Sequence, residues 1–294
     1  KVTEVNIRHM AYSGVMAQVG FDLIEDTIRI MEDGNANNVV RDQYYHYDKP
    51  YIFLRDVDVE PIVLSIEDGF GINMCDKIVI LGGRGTAVVV AEQIHDAYSR
   101  FGLRVELLGF AFDDPLLKDS INGWPVLCGT REVWRKFEKQ KDVKFIYLMY
   151  RSDIIEERVA LRDSFGIPKE RFYTFIHPSS YIAKSVKMGY GNVILANCCI
   201  NSNVVMGNFN SLMFNSLVGH DTRMGDNNFI AAATVIGSNI KIGNGNFTGL
   251  NSSIKNMVTM GNYNLVGMAA NVVKPVTDHE ILIGNPAKRI IKNK

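Results

Sequence analysis

This sequence has no excess of charge of either sign, because its 32 basic and 32 acidic residues give a formal net charge of zero. We therefore expect no general surface for nucleic acid or for an acidic membrane. No run of about 18 apolar residues occurs, so neither a transmembrane helix nor membrane insertion is expected. The N-terminal residues lack the pattern of a signal peptide. Together these absences predict a cytoplasmic protein.

Cysteine and histidine are also scarce, with four cysteines and six histidines in 294 residues. Cys75, Cys128, Cys198 and Cys199 lack the spacing of a metal site, and reduced thiols are usual in a cytoplasmic protein. We therefore predict no metal ion. The hydrophobic content of 47% and the charged content of 22% are those of a globular protein. The length allows two domains, or one domain with additions.

One short pattern repeats through residues 182–273. Met188-Gly189 is followed by Asn192, and this arrangement recurs at a spacing of 18 from residues 206, 224, 242 and 260. Inside it, every sixth residue from Ile182 onward is aliphatic except Thr248. A period of six within 18 fits neither an α-helix nor a flat sheet, but it does fit a three-sided coil with one inward side chain per side.

The corners of such a coil need residues that accept positive φ, and glycine and asparagine do so at the least cost. Each coil would bury its apolar interior against the next, as in other solenoids. The asparagines that recur once in each repeat would stack along one edge as an amide ladder. The pattern is the hexapeptide repeat, and it resembles the left-handed parallel β-helix of the hexapeptide acyltransferases. The handedness is implied by that resemblance alone.

The residues before the repeat follow a different pattern. Strands predicted near 77–81, 104–110 and 144–149 alternate with helices near 88–100, 130–139 and 153–165. This alternation predicts a parallel sheet with right-handed crossovers, a small Rossmann-like unit. We therefore divide the chain into an N-terminal extension of unassigned role (1–75), a Rossmann-like domain (76–175) and a β-helix domain with a C-terminal tail (176–294). Within 1–75, a helix over 15–31 and strands near 51–54 and 61–66 are predicted.

A glycine-rich loop, Gly82-Gly83-Arg84-Gly85-Thr86, follows the first of these strands. Such a loop places backbone N–H groups and a helix N-terminus near a phosphate. A dinucleotide fingerprint would need glycine where Val88 stands, and an acid nearer than Asp113 and Asp114. A nucleotide diphosphate is therefore favoured over NAD, with one of these aspartates bonded to the base or ribose. The alternative for both aspartates is a solvated turn before Pro115.

Several segments together resemble one family. They are Asp113-Asp114, Asn122-Gly123-Trp124-Pro125-Val126-Leu127, Ile176-His177-Pro178-Ser179, Gly219-His220-Asp221 and Gly284-Asn285-Pro286-Ala287-Lys288-Arg289. They are similar to those of bacterial nucleotide-sugar acetyltransferases, such as UDP-4-amino-sugar N-acetyltransferases of glycan pathways, and of the related sialic acid O-acetyltransferases. The resemblance covers about 76–294. It implies a homotrimer that binds acetyl-coenzyme A between neighbouring β-helices and a nucleotide-linked amino sugar on the α/β unit, with one histidine as general base.

His220 is the only histidine within the repeat. A single histidine is too few for the three-histidine zinc site of the β-helical carbonic anhydrases, which share this fold. Acyl transfer from a thioester needs little more than a base and an oxyanion donor. A histidine with a pKa near the ordinary value of about 6.5 can take a proton from an attacking amine. We therefore predict His220 as the base, with Asp221 as the residue that orients its ring.

The coil length also predicts which residues stack. Residues 18 apart lie about 4.8 Å apart along the axis, which places Ser202, His220, Ser238, Asn256 and Lys274 in one column. The backbone N–H of Ser238, one coil from the base, is predicted to donate to the thioester oxygen, and the resemblance supports that role. We assign the cofactor to Gly237, Ser238, Asn256, Lys274, Lys288 and Arg289, with the basic residues on its phosphates. The alternative for each lysine is an ordinary solvated charge.

Two departures from the family pattern concern the acceptor. Relatives often have Gly-His-Gly in the phosphate loop, where this chain has Gly85-Thr86-Ala87. Relatives often place Asn-Thr near the sugar, where Met213-Phe214 stand here. Together with the loop and the aspartates described above, these positions give the residues predicted to bind the nucleotide sugar: Gly82, Gly83, Gly85, Thr86, Asp113, Asp114 and Phe214. The bulkier lining leaves open sugar O-acetylation, and a third alternative is a non-catalytic trimeric scaffold.

Overall fold

The computed structural model describes residues 51–54, 62–65, 75–114, 116 and 119–290. They belong to two compact units, Lys1–Met74 and Cys75–Lys294. In the first unit, β1 (Tyr51–Leu54) and β2 (Ile62–Ser65) form an antiparallel pair, which confirms the two strands expected there. The helix expected over 15–31 lies outside the described residues.

The second unit begins with a five-stranded sheet in the order β5-β6-β4-β3-β7. Its strands are β3 (Asp76–Leu81), β4 (Val105–Ala111), β5 (Ser120–Ile121), β6 (Trp124–Cys128) and β7 (Val143–Tyr147). Strands β3, β4 and β7 are parallel, as predicted, and β6, which was not predicted as a strand, is parallel to β4. Strand β5 pairs antiparallel with β6, because Asn122 and Gly123 adopt φ of 48° and 89° and close a tight hairpin.

Three α-helices accompany this sheet: α1 (Thr86–Phe101), α2 (Val133–Phe137) and α3 (Ile155–Asp163). Helix α1 buries Val90, Ile94 and Ala97, which lie on one face at spacings of four and three. It ends at Gly102, whose φ of 68° is the left-handed conformation that commonly closes a helix. Helix α2 is shorter than predicted, because Thr130–Glu132 forms a separate 3₁₀ turn before it.

The remainder of the second unit is a parallel β-helix with three faces. Face 1 carries β8 (Phe175–Ile176), β11 (Val193–Ile194), β14 (Ser211–Leu212), β17 (Phe229–Ile230), β20 (Phe247–Thr248), β23 (Leu265–Val266), β25 (Ile281–Ile283) and β26 (Lys288–Arg289). Face 2 carries β9 (Tyr181–Ile182), β12 (Cys199–Ile200), β15 (Leu217–Val218), β18 (Val235–Ile236), β21 (Ser253–Ile254) and β24 (Asn271–Val272). Face 3 carries β10 (Lys187–Met188), β13 (Val205–Met206), β16 (Arg223–Met224), β19 (Lys241–Ile242) and β22 (Thr259–Met260).

The predicted coil length is confirmed, because strands pair in parallel with their counterparts one repeat later, as Val218 does with Ile236. The second residue of each strand from β8 to β24 points to the axis, and Val218 and Ile236 are fully buried there. Thr248, which breaks the aliphatic column, is also fully buried. Its hydroxyl lies 3.2 Å from that of Thr234 and accepts a hydrogen bond from the Ala231 N–H. The buried hydroxyl is therefore satisfied rather than left without partners.

A buried asparagine ladder runs along the corner between faces 3 and 1, as predicted. Asn228 donates from Nδ2 to Asn210 Oδ1 at 2.9 Å and to the Gly243 carbonyl at 3.0 Å. Its own Oδ1 accepts from the N–H and the Nδ2 of Asn246. The ladder ties each coil to the next and fixes their register.

The β-helix and the α/β part meet through a buried histidine. His177 follows β8, and its Nε2 lies 3.1 Å from an Asp96 carboxylate oxygen on α1. Its Nδ1 lies 2.8 Å from the Ser179 hydroxyl. With only 2% of its surface exposed, His177 joins α1 to the first coil and is closed to a substrate. No helix in the described part of the chain is both long enough and apolar enough to cross a membrane.

Candidate active site

His220 lies on the corner that joins β15 on face 2 to β16 on face 3, and 56% of its side chain is exposed. Its Nδ1 is 2.7 Å from Asp221 Oδ2. The two side chains meet, although they are neighbours in sequence, because Asp221 has a φ of 59°. This left-handed conformation turns the corner and removes the alternation that would point neighbouring side chains apart.

Asp221 is held from a second side by Asn203, one coil earlier, whose Nδ2 donates to Oδ1 at 3.0 Å. The hydrogen bond with His220, followed by that from Asn203, lowers the pKa of the Asp221 carboxyl. An ionised carboxylate only accepts hydrogen bonds, so the proton of a neutral His220 ring lies on Nδ1. Nε2 of that ring then carries the lone pair, and it has no hydrogen-bond partner among the described residues. Sequence reasoning missed Asn203, which its position one repeat before Asp221 could have revealed.

Ser238 lies one coil from His220, as predicted. The N–H of the next residue, Asn239, donates to the His220 carbonyl at 2.9 Å, and a Cβ on Gly219 would lie 2.6 Å from Ser238 Oγ. The Ser238 N–H, however, already donates to the side-chain oxygen of Asn256 at 3.0 Å. The Ser238 N–H thus lies one coil from His220, and its role as oxyanion donor stays a prediction. The Asn256 side chain of the next coil accepts its hydrogen bond.

The predicted phosphate ligands differ in their surroundings. Lys274 is exposed and lies two residues after β24, which pairs with β21 of the preceding coil. Lys288 is exposed beside a surface depression of about 650 Å³ formed by 283–290. The Arg289 guanidinium pairs with the Glu280 carboxylate and donates to the Thr277 hydroxyl. Of these three cations, only Lys274 and Lys288 lack an ion pair within the described residues.

Two of the three loop glycines serve packing. A Cβ on Gly83 would collide with the Phe112 ring, and one on Gly82 would touch the Met149 side chain. Gly85, with a φ of 53°, meets nothing within 4 Å. It immediately precedes α1, whose first turn holds no acidic residue and whose N-terminus has no side-chain cap. The open part of the loop is therefore Gly85 and the α1 N-terminus.

The two aspartates have partners within the chain. Asp113 accepts from the Thr130 N–H at 3.0 Å and from the Thr130 hydroxyl, so both of its oxygens hold the 3₁₀ turn. Asp114 pairs with the guanidinium of Arg84, whose side chain is 63% exposed. That Asp113 or Asp114 bonds to the base or ribose stays a prediction, and capping already engages both oxygens of Asp113. Sequence reasoning missed Arg84, which connects Asp114 to the glycine loop.

An apolar cavity of about 430 Å³ lies against the N-terminal end of α1. It brings together two predicted acceptor residues, Thr86 and Phe214. The rings of Phe229 and Phe247 form a parallel stack at 4.9 Å. The other lining residues are Val89, Met213, Ala231, Ala232, Gly249, Leu250 and Met268. Sequence reasoning missed the two stacked rings, although their separation by one repeat places them on adjacent coils.

The cavity and His220 lie at different corners of the β-helix. The cavity residues Phe214, Leu250 and Met268 follow face 1, whereas His220 follows face 2. All of face 2 separates the two corners within one chain. The outward side chains of this face include Tyr181, 60% exposed, and Val235, 45% exposed. Within the part of the chain that the structure describes, no group of three or more His, Cys, Asp or Glu side chains is arranged to hold a metal.

Comparison with known proteins supports this architecture. No family model matches the sequence, and a search of curated proteins found no match. Among solved structures, the chain is similar to a histidine variant of perosamine N-acetyltransferase from Caulobacter crescentus in complex with CoA and GDP-perosamine. The identity is 23%, the TM-score is 0.64, and the match covers 74% of this chain and 97% of the other.

It is also similar to the acetyltransferase domain of PglB from Neisseria gonorrhoeae in complex with acetyl coenzyme A, with 22% identity, a TM-score of 0.63, and coverage of 73% and 99%. The match to WeeI from Acinetobacter baumannii has 25% identity, a TM-score of 0.59, and coverage of 72% and 99%. These similarities establish a shared fold. The predicted fold class, a small Rossmann-like sheet followed by a left-handed parallel β-helix, is confirmed.

Proposed function

We propose that this chain is an acetyl-coenzyme A-dependent N-acetyltransferase that acts on the amino group of a nucleotide-linked sugar, in bacterial surface glycan biosynthesis. The observation that carries the proposal is the His220–Asp221 pair on an exposed corner. Its 2.7 Å contact fixes the ring and leaves Nε2 free to accept a proton. Two structures of the same fold support it, since they hold CoA with GDP-perosamine and acetyl coenzyme A.

In the proposed reaction, the amine attacks the thioester carbon while His220 Nε2 removes its proton. The thioester oxygen becomes an oxyanion, which the Ser238 N–H stabilises once Asn256 has moved. Collapse of this intermediate breaks the carbon–sulfur bond, and the departing thiolate takes the proton from the imidazolium. Asp221 stabilises the imidazolium in between. The products are the N-acetylated sugar and free coenzyme A.

The column through His220 supplies the cofactor groove. The pantetheine arm would lie along Gly237, Ser238 and Asn256. Lys274 and Lys288 are the cations available for the phosphates, and Arg289 joins them if its pair with Glu280 opens. The compact positive charge of a lysine ammonium group suits a phosphate on an exposed surface.

The acceptor would lie on the α/β side. Gly85, Thr86 and the α1 N-terminus present N–H groups to the diphosphate. Arg84 and Asp114 lie beside this loop, whereas both oxygens of Asp113 already accept hydrogen bonds from Thr130. The apolar cavity under Phe214 and the stacked rings would receive the sugar. An aromatic wall that has few polar groups suits a sugar with few hydroxyls on that side.

A homotrimer would complete the site. Face 2 exposes apolar side chains, and it separates the cavity from His220 within one chain. A second copy packed on this face would bring its own cavity edge to the His220 corner. The proposal therefore assigns the acceptor and the base of one site to two subunits.

The test is to mix the protein with acetyl-coenzyme A and a panel of UDP-, dTDP- and GDP-linked amino sugars and to measure thiol release. We expect release with at least one amino sugar and a mass increase of one acetyl group on its nitrogen. Release with neutral sugars only would instead support O-acetylation. If every acceptor fails and acetyl-coenzyme A does not bind, the chain is a scaffold.

A further inference from the structure

The carboxamide of Asn256 folds back over the preceding coil. Its Oδ1 accepts the Ser238 N–H at 3.0 Å. The same oxygen fills the space at Gly237 where a Cβ would stand, so any larger residue at position 237 would collide with it. Because residue 237 is glycine, the side-chain carbonyl oxygen of Asn256 can lie against the Ser238 N–H.

Similar asparagine contacts occur at another corner. Between faces 3 and 1, Asn262 Oδ1 accepts the Asn244 N–H at 2.8 Å and also its Nδ2. That contact belongs to a polar ladder that extends through several coils. Among the described residues at the corner between faces 2 and 3, the Asn256–Ser238 contact is the single asparagine-to-N–H bond of this kind. It coincides with the coil that follows His220.

An amide oxygen and a thioester oxygen are both carbonyl acceptors, so either can accept the same N–H. Asn256 Oδ1 therefore stands where the reacting oxygen of the acyl donor would stand. We propose that Asn256 is a displaceable plug of the oxyanion position, which acetyl-coenzyme A must push aside before transfer. This inference rests on the proposed function, because it takes the Ser238 N–H as the site of the thioester oxygen.

The plug competes with the acyl group but not with the rest of the cofactor, because free coenzyme A has no thioester oxygen. Asn256→Ala removes the competitor, so acetyl-coenzyme A should bind about two- to tenfold more tightly, the value of one ordinary net hydrogen bond. Asn256 also lines the proposed groove for the pantetheine arm, so the decisive quantity is the ratio of the two affinities. Coenzyme A has no thioester oxygen to accept the Ser238 N–H, and it should not share this increase. Asn256→Asp supplies a stronger, charged acceptor for the same N–H, so it should weaken acetyl-coenzyme A binding.

The experiment is isothermal titration calorimetry of the full chain and its variants with acetyl-coenzyme A and, separately, with coenzyme A. The matched control is Asn262→Ala, which loses the same type of contact away from the His220 column and should change neither affinity. Near-native circular dichroism and mass in solution verify the fold of each variant.

Weaker binding of acetyl-coenzyme A by the Asn256→Ala variant would overturn the inference. If Asn256→Ala weakens the binding of both ligands equally, Asn256 only holds the cofactor; if it changes neither affinity, the contact is only structural. Both results leave the proposed function intact. Failure of the unaltered protein to bind either ligand would instead remove the proposed function, and this inference with it.

Discussion

The contact between His220 and Asp221 predicts losses of kcat that increase as more of the Asp221 carboxylate is removed. Asp221→Asn keeps an oxygen that can accept the Nδ1–H, and asparagine tolerates the left-handed corner as well as aspartate does. It removes only the charge. Asp221→Ala removes both the charge and the acceptor. The coil tolerates alanine at equivalent corners, since Ala233 and Ala269 have φ of 58° and 54°.

The magnitudes follow from the contact itself. A charge-assisted hydrogen bond is about twice as strong as a neutral one, so the loss of charge in Asp221→Asn should lower kcat about tenfold. Asp221→Ala also frees the ring to rotate away, and we expect a loss of about 10²-fold, at the lower end of the range for a general base. Asn203→Ala leaves the 2.7 Å contact in place, and a loss of only a few fold is expected.

The assay is steady-state thiol release at saturating acetyl-coenzyme A and acceptor, with kcat and each KM determined separately. Because Asp221 acts on the proton-transfer step, kcat should change while both KM values stay near those of the unaltered protein. Equal kcat for Asp221→Asn and the unaltered protein would refute the view that the charge stabilises the imidazolium. A rise in KM alone would make Asp221 a binding residue.

Two further predictions concern the ladder and the cavity. Asn228→Ala removes four side-chain hydrogen bonds, so it should lower the free energy of unfolding by about 4 kcal/mol at about 1 kcal/mol each. The exposed Asn244→Ala should cost less than about 1 kcal/mol, because water replaces its partners; similar denaturation midpoints for the two would contradict the ladder's role. Phe247→Ala opens the cavity wall and should raise KM for the nucleotide sugar about tenfold, whereas Phe247→Leu should raise it less. Unchanged acceptor kinetics in both variants would place the sugar elsewhere.

The β-helix was predictable because its signal is strictly periodic. The constant repeat length fixes which side chains share a column, so the alignment of His220 with Ser238 follows from counting alone. The α/β part is less regular, and the positions of its helices were predicted to within a few residues. There the Asn122-Gly123 turn adds a hairpin, and the 3₁₀ turn at Thr130 shortens α2.

The details of the site depend on side-chain partners that the spacing does not determine. Counting does not show that the φ of Asp221 would direct its carboxylate to His220. It also does not show that Asn256 would cover the Ser238 N–H, or that Asp113 would be used up by Thr130. Each of these outcomes depends on local backbone geometry and on competition among nearby hydrogen-bond partners.

The most direct test of the account is the rate of thiol release by His220→Asn beside the matched control His279→Ala. His279 is exposed at a different corner, where its ring stacks on Tyr263 at 5.3 Å. The account predicts that His220→Asn lowers kcat by about 10² to 10⁴-fold with little change in acetyl-coenzyme A affinity, while His279→Ala retains full turnover. Full turnover by His220→Asn would contradict the assignment of the base and with it the proposed mechanism.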